Sequence, residues 1–192
     1  MHLVAIGRRQ QKKLNRKLVK CNFLGYKKIK ARLNCLQVNL KPLNILLADD
    51  DTDDCIFFNE AVEELLMTTH LTTLHDGEQL MEYLNSKINE LPDVLFLDLN
   101  MPRKNGFECL SEIKLSQRLN GLPVIIFSTS FEQEVVNLLF ENGAQYFIRK
   151  PSEFSQFKKV IHQTFITLII PQNISQPTRE NFVLTMQNGL IV

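Results

Sequence analysis

The sequence predicts an α/β fold in which a five-stranded parallel sheet is covered by helices on both faces. Short apolar runs alternate with stretches of helical periodicity from about residue 43 to about residue 168, and this alternation is typical of sheets built from strand–helix–strand units. The run at 94–97 is apolar throughout, which indicates a strand that is buried on both faces and therefore central.

Residues that favour turns bound each predicted strand. Pro92 and Pro102 enclose the third run, and proline is rarely tolerated inside a central strand or a helix. The predicted strands are residues 44–48, 71–74, 94–98, 124–128 and 146–149.

Apolar residues at steps of three and four predict five helices, each with one buried face. The helices are expected over about 53–67, after Asp76-Gly77, from about 105, up to the stop signal at Asn142-Gly143, and over about 152–167. Their inward residues are Cys55, Phe58, Val62, Leu65 and Leu66; Leu80, Leu84 and Ile88; Phe107, Leu110 and Ile113; Val135, Leu138 and Leu139; and Phe154, Phe157, Ile161, Phe165 and Leu168.

Charge divides the chain into two regions of opposite sign. Residues 1–41 contain 12 of the 22 basic residues and none of the 21 acidic ones, so residues 42–192 carry a formal charge of −11. We predict a basic N-terminal extension over 1–41, one domain over 42–170, and a C-terminal tail over 171–192. The tail is expected to contain at most a short strand at 182–186.

Polar side chains stand at the ends of four predicted strands. Asp49 and Asp50 follow the first strand, Asp98 ends the third, Ser128 ends the fourth, and Lys150 follows the fifth. Ligands of parallel sheets bind beyond the carboxyl ends of the strands. The sequence therefore predicts one pocket that contains an acid pair, a single aspartate, a hydroxyl and a lysine.

Five aspartates occur among residues 49–54, and not all of them need a chemical role. Negative charge near a helix N-terminus is stabilising, and this explains Asp51, Asp53 and Asp54. We assign Asp49 and Asp50 to a metal site because the other polar strand ends accompany them.

The order and type of these residues resemble the receiver domain of two-component response regulators. The resemblance covers about residues 43–168 and is carried by ILLADD (45–50), LFLDLNMPRKNGFE (95–108), VIIFSTS (124–130) and FIRKP (147–151). Two departures are small, since Ser128 stands where many receivers have threonine and Phe147 where tyrosine is frequent. The resemblance implies a flavodoxin-like strand order of 2-1-3-4-5, which brings the first and third strands together.

The resemblance also implies the chemistry of the pocket. Asp98 would accept a phosphoryl group, because a carboxylate can act as a nucleophile toward phosphorus. Mg²⁺ prefers carboxylates, carbonyls and water. It would be held directly by Asp50, Asp98 and the backbone carbonyl of Asn100, and through water by Asp49.

Ser128 and Lys150 would contact the phosphoryl oxygens. Phe147 would turn inward when Ser128 moves, although packing in the core explains a buried aromatic residue equally well. Asn100 and Ser130 would flank the path of an attacking water and so affect how long the aspartyl phosphate lasts.

The implied function is phosphorelay signalling by a stand-alone receiver that is not an enzyme acting on a substrate. A sensor histidine kinase or a histidine phosphotransfer protein would dock near the first helix and the loop after the fifth strand. Residues 131–168 would form the output face, which consists of the fourth predicted helix, the fifth strand and the fifth helix. This face would bind a downstream protein or a second copy of the chain.

Other functions compete with this one. A phosphatase of the haloacid dehalogenase type also uses a strand-end aspartate, Mg²⁺, a hydroxyl and a lysine. It typically needs a second aspartate two residues later, where this chain has Asn100, a poor proton donor. A degenerate receiver that acts only by binding is a further alternative, but all five motif residues are present.

The basic extension admits three interpretations. It is a disordered or loosely helical tail, a contact for nucleic acid or an anionic membrane, or a segment upstream of the true start of translation. No apolar stretch reaches the ~20 residues that a membrane span needs. Cys21, Cys35, Cys55 and Cys109 lack metal-site spacing, and a reducing cytoplasm is the expected setting.

Overall fold

The computed structural model describes residues 42–65, 68–86, 90–165 and 177–184. Strands and helices alternate along the chain. The strands are β1 (Leu43–Ala48), β2 (Thr69–Leu74), β3 (Val94–Leu97), β4 (Val124–Ser128), β5 (Tyr146–Arg149) and β6 (Val183–Leu184). The helices are α1 (Thr52–Glu63), α2 (Gly77–Asn85), α3 (Gly106–Leu115), α4 (Gln133–Glu141) and α5 (Phe154–Thr164).

The strands form one parallel sheet in the order β2-β1-β3-β4-β5-β6. The predicted parallel α/β fold and its order 2-1-3-4-5 are therefore confirmed, and β3 lies at the centre. The sheet has six strands rather than the five predicted. Val183 and Leu184 lie within 182–186, where the tail was expected to contain at most a short strand, and they pair in parallel with Phe147 and Ile148 of β5.

Helices cover both faces of the sheet, and each face has its own core. On one face, α1 and α5 pack over a cluster of phenylalanines. The rings of Phe58 and Phe96 lie 4.8 Å apart, and those of Phe127 and Phe157 lie 5.0 Å apart. Burial of each such ring stabilises the fold by about 1.5–3 kcal/mol. The other face packs against α2, α3 and α4.

Two residues predicted to face inward are exposed. Leu138 of α4 is 48% exposed and Phe154 at the start of α5 is 38% exposed. In both helices the buried face is narrower than the predicted apolar face. In α4, for example, the buried residues are Val136 and Leu139. Leu66, Ile88, Leu168 and residues 1–41 lie outside the described residues, so predictions about them stay predictions.

Side chains cap the N-termini of α1 and α3. The Asp51 carboxylate accepts hydrogen bonds from the backbone of Asp53 (2.9 Å) and Asp54 (3.1 Å) at the start of α1. Asn105 and Glu108 form a reciprocal capping box at the start of α3. These caps satisfy amide groups that have no partner inside a helix, and they fix where each helix begins relative to the preceding strand.

The loop between β3 and α3 folds back on the end of β3. The Gly106 amide donates to the Leu99 carbonyl at 3.0 Å. A Cβ at position 106 would lie 2.0 Å from the Asp98 carbonyl oxygen. On the other side of the loop, the fully buried Asp76 forms an ion pair with Arg103, whose φ of 64° is left-handed. The loop after Asp98 is therefore held from both sides.

We expect Gly106→Ala to destabilise the protein by about 1–3 kcal/mol, because overpacking at a backbone contact forces the loop away from Asp98. Chemical denaturation of both proteins measures this change. Gly121→Ala is the matched control, since a Cβ there would meet no atom within 4 Å. Equal losses in the two variants would contradict the proposed close approach.

Candidate functional site

The polar strand ends meet at the carboxyl edge of the sheet. β1 pairs with β3 so that Ala48 lies opposite Leu97, and the Asp98 amide donates to the Ala48 carbonyl at 2.9 Å. The Lys150 amide likewise donates to the Ser128 carbonyl at 2.9 Å. Because these backbone bonds tie the strand ends together, residues that are far apart in sequence share one site.

Lys150 lies at the centre of this site. Its Nζ is 2.6 Å from Asp49 Oδ2, 2.9 Å from Asp54 Oδ2 and 3.1 Å from Asp98 Oδ1. The side chains of Lys150, Asp49 and Asp98 are each no more than 5% exposed. One ammonium group is therefore shared by three carboxylates and offsets only part of the negative charge at the sheet edge.

Burial and ion pairing act in opposite directions on these groups. Burial raises the pKa of Asp49 to about 6, although the nearby Lys150 ammonium acts to lower it. Burial acts to lower the pKa of Lys150, but the carboxylates of Asp49 and Asp98 more than offset this, and the pKa is raised. Lys150 consequently stays charged at neutral pH, whereas Asp49 is short of compensating positive charge.

Only some of the residues predicted to hold a metal lie close together in the structure. Asp49 and Asp98 flank Lys150, whereas Asp50 is exposed at the rim. Over the described ranges, no three acidic, histidine or cysteine side chains form a ready-made metal cluster. The donor chemistry nevertheless fits a hard cation, since two buried carboxylates share a single lysine and oxygen donors suit Mg²⁺.

Ser128 presents an unused hydroxyl. Its side chain is fully buried, and its Oγ makes no hydrogen bond to any described residue. A buried hydroxyl without a partner costs about 1–3 kcal/mol, so its retention at the end of β4 requires an explanation. An oxyanion arriving at the neighbouring strand end would supply the missing acceptor.

Asn100 contacts both Asp98 and the loop after β4. Its backbone amide donates to Asp98 Oδ2 at 2.6 Å, and its side-chain amide donates to Ser130 Oγ at 3.0 Å. The first bond orients the Asp98 carboxylate and leaves Oδ1 beside Lys150. The second holds the Asn100 and Ser130 side chains together in an exposed position. That they flank the path of an attacking water stays a prediction.

Phe147 is fully buried in the core between the sheet and α4. Its ring lies 5.7 Å from that of Phe131, and the Arg149 guanidinium lies 5.8 Å from the centre of the Phe131 ring. Phe131 follows Ser128 by three residues, so these contacts connect the loop after β4 to β5. The inward position suits core packing and also suits an aromatic residue that responds to Ser128.

Sequence reasoning missed three residues that contact the site. Asp54 was explained by the helix N-terminus alone, yet it forms an ion pair with Lys150. His75 Nδ1 lies 3.1 Å and Cys55 Sγ 3.4 Å from the Asp49 carbonyl oxygen. Asp54 and Cys55 lie in the first turn of α1, where side chains lean toward the helix N-terminus, and His75 directly follows β2. All three positions therefore carried a usable signal.

Comparisons with known proteins agree on one family. The family model described as the response regulator receiver domain matches residues 45–162. The probable methanogenesis regulatory protein FilR2 of Methanothrix harundinacea is 31% identical over 127 residues, which cover 64% of this chain and 81% of FilR2. The two-component response regulator ARR17 of Arabidopsis thaliana is 30% identical over 66% of this chain and 88% of its own length.

Two solved structures are similar in fold and sequence. The Mn²⁺-bound form of response regulator Rcp1 has a TM-score of 0.64 and 26% identity, covering 71% of this chain and 100% of Rcp1. The phosphorylated cyanobacterial phytochrome response regulator RcpA has a TM-score of 0.62 and 29% identity, covering 65% of this chain and 94% of RcpA.

Asp49 gives the stability a distinctive pH dependence in the absence of divalent cations. Its pKa is 3.8 without the fold and about 6 within it, so the unfolded chain releases this proton first as the pH rises. Ionisation of Asp49 therefore lowers the free energy of unfolding by about 2–3 kcal/mol between about pH 4 and pH 6.

We expect this contribution to vanish in Asp49→Asn and to persist in Asp50→Asn, whose native carboxylate is exposed. Urea denaturation at several pH values measures both. Parallel profiles for wild type and Asp49→Asn would show that Asp49 is not the group responsible.

Proposed function

Because the chain belongs to the response regulator receiver family, we propose that Asp98 accepts the phosphoryl group in two-component signal transduction. The observation that carries this proposal is the environment of Asp98. It is a buried carboxylate with the Asn100 amide on Oδ2 and the Lys150 ammonium 3.1 Å from Oδ1. Both Asp98 oxygens are therefore held in place, and the Lys150 ammonium lies where it could neutralise the charge of an incoming phosphoryl group.

The reaction is a phosphoryl transfer from a phosphorylated histidine. An Asp98 oxygen forms a bond to phosphorus as the bond from phosphorus to the histidine nitrogen breaks, and that nitrogen keeps the electron pair. Catalysis of such transfers consists mainly of alignment and neutralisation of the oxygen charges. Lys150 would contact one phosphoryl oxygen, and the unused Ser128 hydroxyl would donate to another.

Mg²⁺ is the cofactor that we propose for this site. Asp49, Asp50, Asp98 and the backbone carbonyl of Asn100 would hold it, and it would supply positive charge beside the transferring phosphoryl group. Two observations support this proposal: Asp49 is incompletely neutralised by Lys150, and the similar Rcp1 has been solved in a Mn²⁺-bound form. Exposed Asp50 would complete the site from the solvent side.

Phosphorylation would act on the output face through Ser128. A phosphoryl group adds about −1.5 to −2 charges, and its oxygens would attract the Ser128 hydroxyl and the loop that follows. Phe131, whose ring contacts Phe147 and the Arg149 guanidinium, is part of that loop. The resulting change at α4, β5 and α5 would select a downstream protein or a second copy of the chain.

The proposed upstream partner is a sensor histidine kinase or a histidine phosphotransfer protein. Apolar side chains are exposed on the two helices that cover one face of the sheet: Ile56 of α1 is 49% exposed, and Phe154 of α5 is 38% exposed. The ring of Phe57 in α1 lies 4.6 Å from that of Phe154. Within the described residues, no helix has the length and apolar character of a membrane span.

Incubation with Mg²⁺ and acetyl phosphate tests the acceptor directly. We expect intact-protein mass spectrometry to show one added phosphoryl group on the wild type and none on Asp98→Asn, because the amide is not a nucleophile toward phosphorus. Asp53→Asn, which changes an exposed carboxylate of α1, should be labelled like the wild type. An undiminished adduct on Asp98→Asn would reject the assignment.

A further inference from the structure

Asp54 is in contact with the site, yet the reaction proposed above does not use it. We propose that Asp54 is a positioning residue that draws Lys150 toward α1 and thereby restrains phosphoryl uptake by Asp98. This inference rests on the proposed function, because it concerns the lysine that would meet the phosphoryl group.

The position of Asp54 is well defined. Its backbone amide donates to the Asp51 cap at 3.1 Å, which places Asp54 in the first turn of α1. From there its Oδ2 reaches Lys150 Nζ at 2.9 Å, a distance intermediate between those of Asp49 and Asp98. Asp53 is held by the same cap but is exposed, so the contact is specific to Asp54.

The three carboxylates use all the donors that Lys150 has. A lysine ammonium carries three N–H donors and no acceptor, and Asp49, Asp54 and Asp98 lie around it within 3.1 Å. A phosphoryl oxygen on Asp98 can gain a donor only if one of the carboxylates loses one. The present arrangement therefore has to change when the phosphoryl group arrives.

Burial decides which carboxylate is released. The Asp49 side chain is 1% exposed, and a buried charge that loses its partner is strongly destabilising. The Asp54 side chain is 21% exposed, so water can replace the lysine there at lower cost. Asp98 would itself carry the phosphoryl group, so of the two other partners Asp54 is the one that Lys150 gives up, and its charge favours the unphosphorylated arrangement.

Removing this carboxylate should speed the reaction. We expect Asp54→Asn to raise the initial rate of labelling by acetyl phosphate with Mg²⁺ by about threefold, the effect of a partly exposed ion pair. Asp53→Asn removes the same formal charge from the same helical turn and should label at the wild-type rate. Asp54→Glu retains the carboxylate and should return the rate toward that of the wild type.

A double-mutant cycle tests whether Asp54 acts through Lys150. Urea denaturation of Asp54→Asn, Lys150→Met and the double variant should give non-additive losses, since both single changes remove one interaction. Additive losses, or equal labelling rates for Asp54→Asn and Asp53→Asn, would overturn the inference while leaving the proposed function intact. Failure to label the wild type would instead reject the proposed function, and the inference with it.

Discussion

The ion pairs around the Lys150 ammonium group are the interaction on which the site depends. Parallel pairing of β1 with β3 places Asp49 and Asp98 side by side, where two buried carboxylates would repel each other. Lys150, delivered by β5 on the far side of β4, supplies the charge that makes this arrangement stable. The same balance would make the site responsive to the proposed ligands, because a metal ion or a phosphoryl group would change the charge that the lysine neutralises.

Rigidity around Asp98 complements this electrostatic balance. Gly106 allows the loop after β3 to touch the Asp98 carbonyl, and the buried Asp76 fixes the same loop through Arg103. By contrast, β4 ends in the unpaired Ser128 hydroxyl, and the loop after β4 carries the half-exposed Phe131. Asp98, the proposed acceptor, is therefore held by well-defined contacts, while the groups proposed to respond to it lie at the end of the neighbouring strand and in the loop after it.

Strong local patterns made most of the fold predictable from the sequence. The uninterrupted apolar runs fixed β3 and β4, and turn residues such as Asn142-Gly143 marked the end of α4. The sixth strand was predicted only as a possible short strand in the tail, because two residues are too few to show a periodicity. It forms through pairing with β5. Leu138 and Phe154 were misplaced because an apolar residue at helical spacing does not reveal how wide the buried stripe is.

The site was predictable where strand ends supplied the residues and less so where a helix did. Asp49, Asp98, Ser128 and Lys150 converge because parallel strands end at one edge. The contact of Asp54 depends on side-chain direction in the first turn of α1, which periodicity alone does not give. How Lys150 divides its donors among three carboxylates depends on burial, a property of the folded chain.

The stability of Lys150→Met, with and without Mg²⁺, shows whether the Lys150 ammonium holds the buried carboxylates of the site together. Loss of the ammonium should lower the free energy of unfolding by about 3–5 kcal/mol, because buried carboxylates are left uncompensated. Millimolar Mg²⁺ should then stabilise the variant more than it stabilises the wild type, since the cation replaces the missing charge. A variant as stable as the wild type, with no additional response to Mg²⁺, would show that the buried carboxylates do not depend on the Lys150 charge.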